Sequence, residues 1–199
     1  MVKIYEVELK GITPLLMNSN RMVGRKDGTI RRTGEAVKGN PEEWKEKMYF
    51  KEGIGLYLPS LNIEIAFYQT SKGIKIGGRE YAGKYFNGAI YIDEPEVQLL
   101  VKGEPVLNVE DALKNNPRSV YVDTRIACLK TGAKKTSQLR YRLCVGDWSI
   151  KFKLIDASDG MIITDKMVEV IEKAGMVSGL LDWRPRFGRF KLESIKEVA

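Results

Sequence analysis

Trp148 to Ile155 reads WSIKFKLI. Trp148, Ile150, Phe152 and Leu154 are apolar, and Ser149, Lys151 and Lys153 between them are polar. Successive strand side chains point to opposite faces, so a period of two predicts a strand with one face on a core. Residues 2–10 repeat the pattern, with Tyr5, Val7 and Leu9 on one face and Ile4, Glu6 and Glu8 on the other. A sheet with one wet face needs a cover on its dry face, and two segments have the period of a helix. Ser60 follows Pro59 and heads about three turns in which Ile63, Ala66, Phe67 and Thr70 share a stripe. Leu61, Ile65 and Tyr68 widen that stripe, and Gly73 stops it. Thr164 caps a second helix through Ala174, with Met167, Val170, Ile171 and Ala174 inward and Gly175 as its C-cap.

Working outward, strands are predicted at Glu96–Val101, Ser119–Cys128, Leu139–Val145 and, closing the chain, at about residues 187–195. Asn40 as N-cap, Pro41 at the first helical position and Glu43 in the first turn predict a short helix to about Met48. Residues 108–116 form another short helix that ends at NNP. Residues 18–39 carry Gly, Asn, Thr and charge without periodicity and read as a long mobile loop. Residues 74–95, rich in Gly and Tyr, hold short strands. Stripped of insertions, the order is strand, helix, strand, strand, helix, strand. This is the split βαβ pattern, an α+β class with a ferredoxin-like (RRM-like) βαββαβ core. Residues 1–199 form one domain, and the insertions, 11–58 and 74–118, are long enough for a lobe of their own. The uncovered sheet face is the one that RNA-recognition modules use.

Composition narrows the function. At 199 residues and 43% apolar, the chain can bury a real core. No run approaches the roughly 20 apolar residues of a membrane span, and MVKIYEVELK has no signal-peptide core, so an intracellular protein with no membrane partner is expected. Cys128 and Cys144 read as free thiols. The chain has no histidine, which removes the commonest general base and metal ligand and every Ser-His or Cys-His arrangement. There is no phosphate-loop motif and no paired CxxC. Asp147, Asp156, Asp159, Asp165 and Asp182 match no ligand spacing, so neither a metal nor a cofactor is expected.

Net charge is +7, from 33 Lys and Arg against 26 Asp and Glu, and its placement says more than its size. From Thr124 to Gly146 there is no acid, while Arg125, Lys130, Lys134, Lys135, Arg140 and Arg142 are basic. Arg21, Arg25, Lys26, Arg31 and Arg32 crowd the loop at 18–39. Arg184, Arg186 and Arg189 lie in GLLDWRPRFGRF, Gly179 to Phe190. Clustered cations of this kind point to a polyanion. Arg125, Arg140 and Arg142 either grip phosphates from an open sheet or form a solvated sheet face. Lys130, Lys134 and Lys135 sit in a basic loop, residues 129–139, that either tracks phosphates or is plainly exposed. Tyr121 and Tyr141 either stack bases or pack at the rim, and Trp183 either anchors its loop or faces a ligand. In the tail, either Trp183 and Phe187 fasten the loop while Arg184, Arg186 and Arg189 face one ligand and Asp182 orients one of them, or the loop is a salt-bridged structural one whose arginines pair with the protein's own acids.

Three stretches together resemble the RAMP superfamily of CRISPR-associated proteins. ELKGITPLLMN is similar to the first strand and its Thr-Pro-Leu exit, and YLPSLNIEIAFYQTSK to the segment in which Pro-Ser opens the first helix. GLLDWRPRFGRF is similar to the C-terminal glycine-rich loop, and to an ending of phage and archaeal proteins of uncharacterised role. The resemblance implies ferredoxin-like domains and a single-stranded nucleic-acid partner. This loop has fewer glycines than the family's, and the processing ribonucleases of the family often use a histidine, absent here. The pattern fits the non-catalytic backbone subunits, which polymerise along RNA beside other effector subunits. A metal-independent endoribonuclease of the same fold, and a viral structural or assembly protein, are the alternatives.

Overall fold

The computed structural model describes residues 2–19, 22–24, 30–32, 39–131 and 134–198, with side chains for 2–19, 39–127 and 137–198. The fold is α+β, and every strand pairing in it is antiparallel.

The chain opens with β1 (Lys3–Gly11), β2 (Leu15–Leu16) and a short hairpin, β3 (Met22–Gly24) and β4 (Ile30–Arg32). That hairpin lies where the sequence reads as loop, because three residues a side are too few to show a period. Next come α1 (Glu43–Lys47), β5 (Phe50–Lys51), β6 (Gly55–Pro59) and α2 (Ser60–Ser71). The Asn40 side chain accepts from the Glu42 N–H at 2.9 Å in the turn before α1, but the helix starts at Glu43 with Glu42 as its N-cap and no side-chain cap, so Asn40 is not the cap that the sequence predicts. After α2 lie β7 (Lys75–Gly77), β8 (Glu80–Tyr81), α3 (Gly83–Phe86), β9 (Ile90–Ile92), β10 (Glu96–Val101), β11 (Glu104–Pro105) and α4 (Val109–Asn115). The Asn108 side chain caps α4 by accepting from the Asp111 N–H at 3.2 Å. The rest is β12 (Val120–Thr131), β13 (Lys134–Val145), β14 (Trp148–Asp156), α5 (Thr164–Lys173) and β15 (Phe190–Glu197).

The main sheet has eight strands along the path β15-β1-β14-β10-β6-β5, with β9 on β14 and β11 on β10. The alternation that predicted β1 and β14 sets their pairing: Val7 lies opposite Phe152 and Leu9 opposite Ile150, all four buried. Strand β10 falls inside the segment 74–118, and it joins the main sheet between β14 and β6. Helices α2 and α5 bury Ile63, Ala66 and Phe67, and Met167, Val170 and Ile171, in one core with the dry face of the sheet. Phe67 meets Phe86 and Phe190 edge-on at 6.4 and 6.5 Å between ring centroids. Leu61 and Ile65, predicted to widen the α2 stripe, point to solvent.

The wet face carries charge of both signs. Glu6 is opposite Lys153 on one side and Lys196 on the other, and Glu8 is opposite Lys151 at 3.3 Å between the charged groups. A face that neutralises itself across its own ladders offers little net attraction to a polyanion. Gly175, predicted to end α5, does something else. The helix runs on through one wide π-turn, Ala174–Ser178, and Gly179 at φ 66 makes the exit. A Cβ on Gly175 would strike the Phe190 carbonyl and ring, so this glycine permits the close approach of β15. No described helix is long and apolar enough to cross a membrane.

Candidate nucleic-acid interface

The hairpin β12–β13 pairs twelve residues with twelve, from Val120↔Val145 to Thr131↔Lys134, and is separate from the main sheet. Its strands run through the basic segment that the sequence assigns to a loop. Thr and Lys suit a solvated ladder but give no apolar alternation to detect. At its base β13 adds to β2 through Cys144↔Leu16 and Val145↔Leu15. Cross-strand partners share a face, so Tyr121, Asp123, Arg125, Arg140, Arg142 and Cys144 lie on one side. Val120, Leu143 and Val145 lie on the other, in the main core. Further out on that second side Ile126 and Leu139, directly opposite each other, are exposed, while Ala127 on the first side is buried.

Arg125, Arg140 and Arg142 therefore do not sit on the open sheet. Arg140 is buried and ion-paired with Glu43 of α1, itself fully buried. The Glu43 carboxylate also accepts from the Tyr141 N–H at 3.4 Å. Arg142 is buried against Asp182, with its guanidinium 4.7 Å from the Trp183 ring centroid. Arg125 donates to Asp123 at 2.8 Å and lies 5.0 Å from the Phe187 ring and 5.5 Å from Trp183. The physical reason is that buried guanidinium needs an acid, and the stretch from Thr124 to Gly146 has none. Glu43 and Asp182 come from far along the chain to supply it. The sequence reading missed both as counter-ions, and the acid-free run beside apolar strands was the signal that acids had to come from elsewhere.

The loop GLLDWRPRFGRF closes over this base. The Leu180 N–H donates to Gly188 C=O at 2.9 Å, the Gly188 N–H to Pro14 C=O at 2.9 Å, and the Asp182 N–H to Leu16 C=O at 3.2 Å. Gly188, at φ 73, lies so close to the Leu180 backbone that a Cβ would overlap it. Leu181 and Trp183 hold left-handed φ values of 63 and 54, and the Arg184–Pro185 bond is cis. Phe187 is buried beside Leu16 and Cys144, with Tyr121 packed against them, and meets Trp183 at 6.3 Å. So the aromatics anchor the loop, as the sequence suggests. Of its arginines, Arg184 and Arg186 are exposed. Arg189 turns back, its Nε donating to Pro185 C=O at 2.9 Å.

Tyr121 and Cys144 share a hydrogen bond under this loop. That bond, then burial, pushes the Tyr121 phenol up to about 12. Burial pushes the Cys144 thiol up to about 11. Cys144 is a free, buried thiol, and the Cys128 side chain lies outside the described residues. Tyr141 packs against the core, as Trp44, Trp148 and Phe152 do within it.

Lys130 and Lys135 are directly opposite in the ladder and Thr131 is opposite Lys134, which gathers all three lysines at the hairpin tip. Arg31 and Arg32 lie on β4, opposite Val23 and Met22. The side chains of these five lie outside the described residues, as do Arg21, Arg25 and Lys26 entirely. Among the described residues no three acidic or cysteine side chains gather as a metal would need.

No family model matches the chain, and no curated protein matches it. Among solved structures, it is similar to a chain of the cryo-EM structure of the Type III-B Cmr-beta bound to cognate target RNA. Identity is 14% and the TM-score 0.57, over 99% of this chain and 61% of that one, so it spans about three-fifths of the neighbour's length. At that identity the likeness is one of fold.

Proposed function

We propose that this chain is a RAMP-type subunit that binds single-stranded nucleic acid with little regard to sequence and works beside other subunits in a larger assembly. The observation that carries the reading is the β12–β13 hairpin. It places Lys130 directly opposite Lys135 in the ladder, with Lys134 the next residue at its tip, in a stretch with no acid. Like charges directly opposite weaken a ladder, and a bound polyanion relieves that cost. Further support is the strand order β15-β1-β14-β10, with α2 and α5 in the two crossovers. That is the split βαβ order, so we read the core as ferredoxin-like, with the hairpin as an addition between β10 and β14. The fold neighbour in an RNA-bound Type III-B Cmr complex and the three RAMP-like stretches point the same way. The contact set we propose is the hairpin tip, the β3–β4 hairpin with Arg31 and Arg32, and Arg184 and Arg186. Without histidine, we read the role as holding the strand rather than cutting it.

The test is binding of a labelled single-stranded oligonucleotide by the full chain and by a variant with Lys130, Lys134 and Lys135 all changed to Glu. Affinity should fall at least about tenfold, or about 1.4 kcal/mol, with the melting temperature nearly unchanged, and the wild-type affinity should fall steeply with salt. Equal affinity in the two proteins, or tighter binding to duplex, overturns the reading.

A further inference from the structure

Between the start of α2 and the glycine-bearing loop lies a cleft of about 200 Å³ lined by Asn18, Tyr49, Asn62, Leu181 and Asp182. That is small for a drug-sized ligand and suits a single planar group. Its chemistry differs from the rest of the surface described above. Among the described residues no lysine or arginine lines it, and its described lining is not that of a phosphate site. What lines it is two side-chain amides, a tyrosine and a carboxylate. One oxygen of Asp182 takes the Arg142 guanidinium, and a carboxylate has a second oxygen with lone pairs to offer. The Asn18 carbonyl oxygen is buried and has no hydrogen-bond partner. Buried polar atoms are normally satisfied, so this amide is not committed to holding the fold, and a half-turn about its last torsion exchanges oxygen and nitrogen.

The wall is also held rigid. The Met17 N–H donates to Leu143 C=O at 2.9 Å and the Ser19 N–H to Lys47 C=O at 2.8 Å, pinning the chain on both sides of Asn18. Asp182 sits between Leu181 and Trp183, both in the left-handed region that such residues seldom adopt. Strain of this kind persists where surrounding structure enforces it, and it fixes the direction of the residue it brackets. Trp183 is the next residue in the chain and 36% exposed, and Arg184 beyond it is exposed.

We infer that this cleft receives one unstacked nucleobase by its edge and favours bases that carry an exocyclic amine. The second Asp182 carboxylate oxygen accepts from an amine and has no proton to offer the carbonyl of uracil or thymine, while the two Asn amides can turn to complete the remaining contacts of the bound edge. Trp183 and Arg184 follow Asp182 in the chain and are exposed. The inference rests on the nucleic-acid reading above and adds a base preference to it.

The experiment compares the full chain's affinity for RNA dodecamers of cytidine against uridine, and of adenosine against its analogue lacking the amine. Each pair changes the amine with little change of ring size. A preference of about fivefold or more for the amine-bearing member of either pair is expected, its ratio falling to about one in Asn62→Ala and in Asn18→Ala. Equal affinity within both pairs overturns the inference and leaves the general binding reading standing. A preference that survives both variants also overturns it, since the selectivity then lies elsewhere. Binding to none of the four overturns both.

Discussion

Arg140 shows how a surface-type residue becomes a structural one. Its charge is buried against Glu43, and breaking a buried pair from one side leaves the other charge without compensation. Arg140→Ala should cost about 3–5 kcal/mol of unfolding free energy by denaturant titration, and pairing Arg140→Met with Glu43→Leu should recover most of it. If the double variant is no more stable than the single, the two residues are not coupled. Cys144 makes a second residue-scale case. Its thiol is raised to about 11 by burial, against about 8.5 unfolded. A raised acid binds more protons folded than unfolded, so its stabilisation is complete below the unfolded value and is lost as pH rises toward the folded one. Tyr121, raised to about 12, extends the loss upward. Stability should therefore fall between about pH 8.5 and 12. A Cys144→Ala, Tyr121→Phe variant should have a flatter profile across that window in thermal melts. An unchanged profile would place the alkaline loss in other groups.

At the scale of the element, the glycine-bearing loop divides its arginine work. Arg184 and Arg186 are exposed, while Arg189 is turned onto its own loop through Pro185. Changing Arg184 and Arg186 together to Gln should leave melting nearly unchanged and weaken oligonucleotide binding several-fold. Arg142→Gln should do the reverse, because it removes the partner of Asp182 and the guanidinium over Trp183. Circular dichroism melts beside fluorescence-anisotropy titrations separate the two. If the double change unfolds the protein and the folded remainder binds normally, the exposed arginines are structural. The loop's aromatic anchor was legible in its sequence. The division of its arginines was not, because nothing local marks which guanidinium meets an acid from another element.

For the whole molecule, the basic segments lie on two hairpins outside the main sheet and on the loop before β15, while acids and lysines pair across the wet face of the sheet. On the proposed reading, a strand is held at the hairpins. On a long single strand, sedimentation at saturating protein should give several chains per strand, because on the proposed reading the ligand is held by a hairpin that belongs to a sheet of its own rather than within a closed site. One chain per strand at every length would count against assembly along the ligand. The strand order that supports the ferredoxin-like reading was partly legible. β1, β14, α2 and α5 came from clean periods, but β10 was assigned to an insertion and the β12–β13 hairpin to the core. A strand reading rests on local pattern, which does not say which neighbour a strand will pair with.

By itself the sequence determined the class of each main segment, because a period of two or of 3.6 is a local property of side-chain direction. It also determined the chemistry available: no histidine, and cations in clusters without acids. Only the tertiary structure decided which cations remain for a ligand. Arg140 and Arg142 are consumed by Glu43 and Asp182, and the contact between Tyr141 and Glu43 spans 98 residues of chain. Burying a charge is costly unless a partner arrives, and partners arrive through folding rather than through spacing. The polar cleft has the same origin: Asn18, Asn62 and Asp182 carry no common motif, and packing alone makes them neighbours.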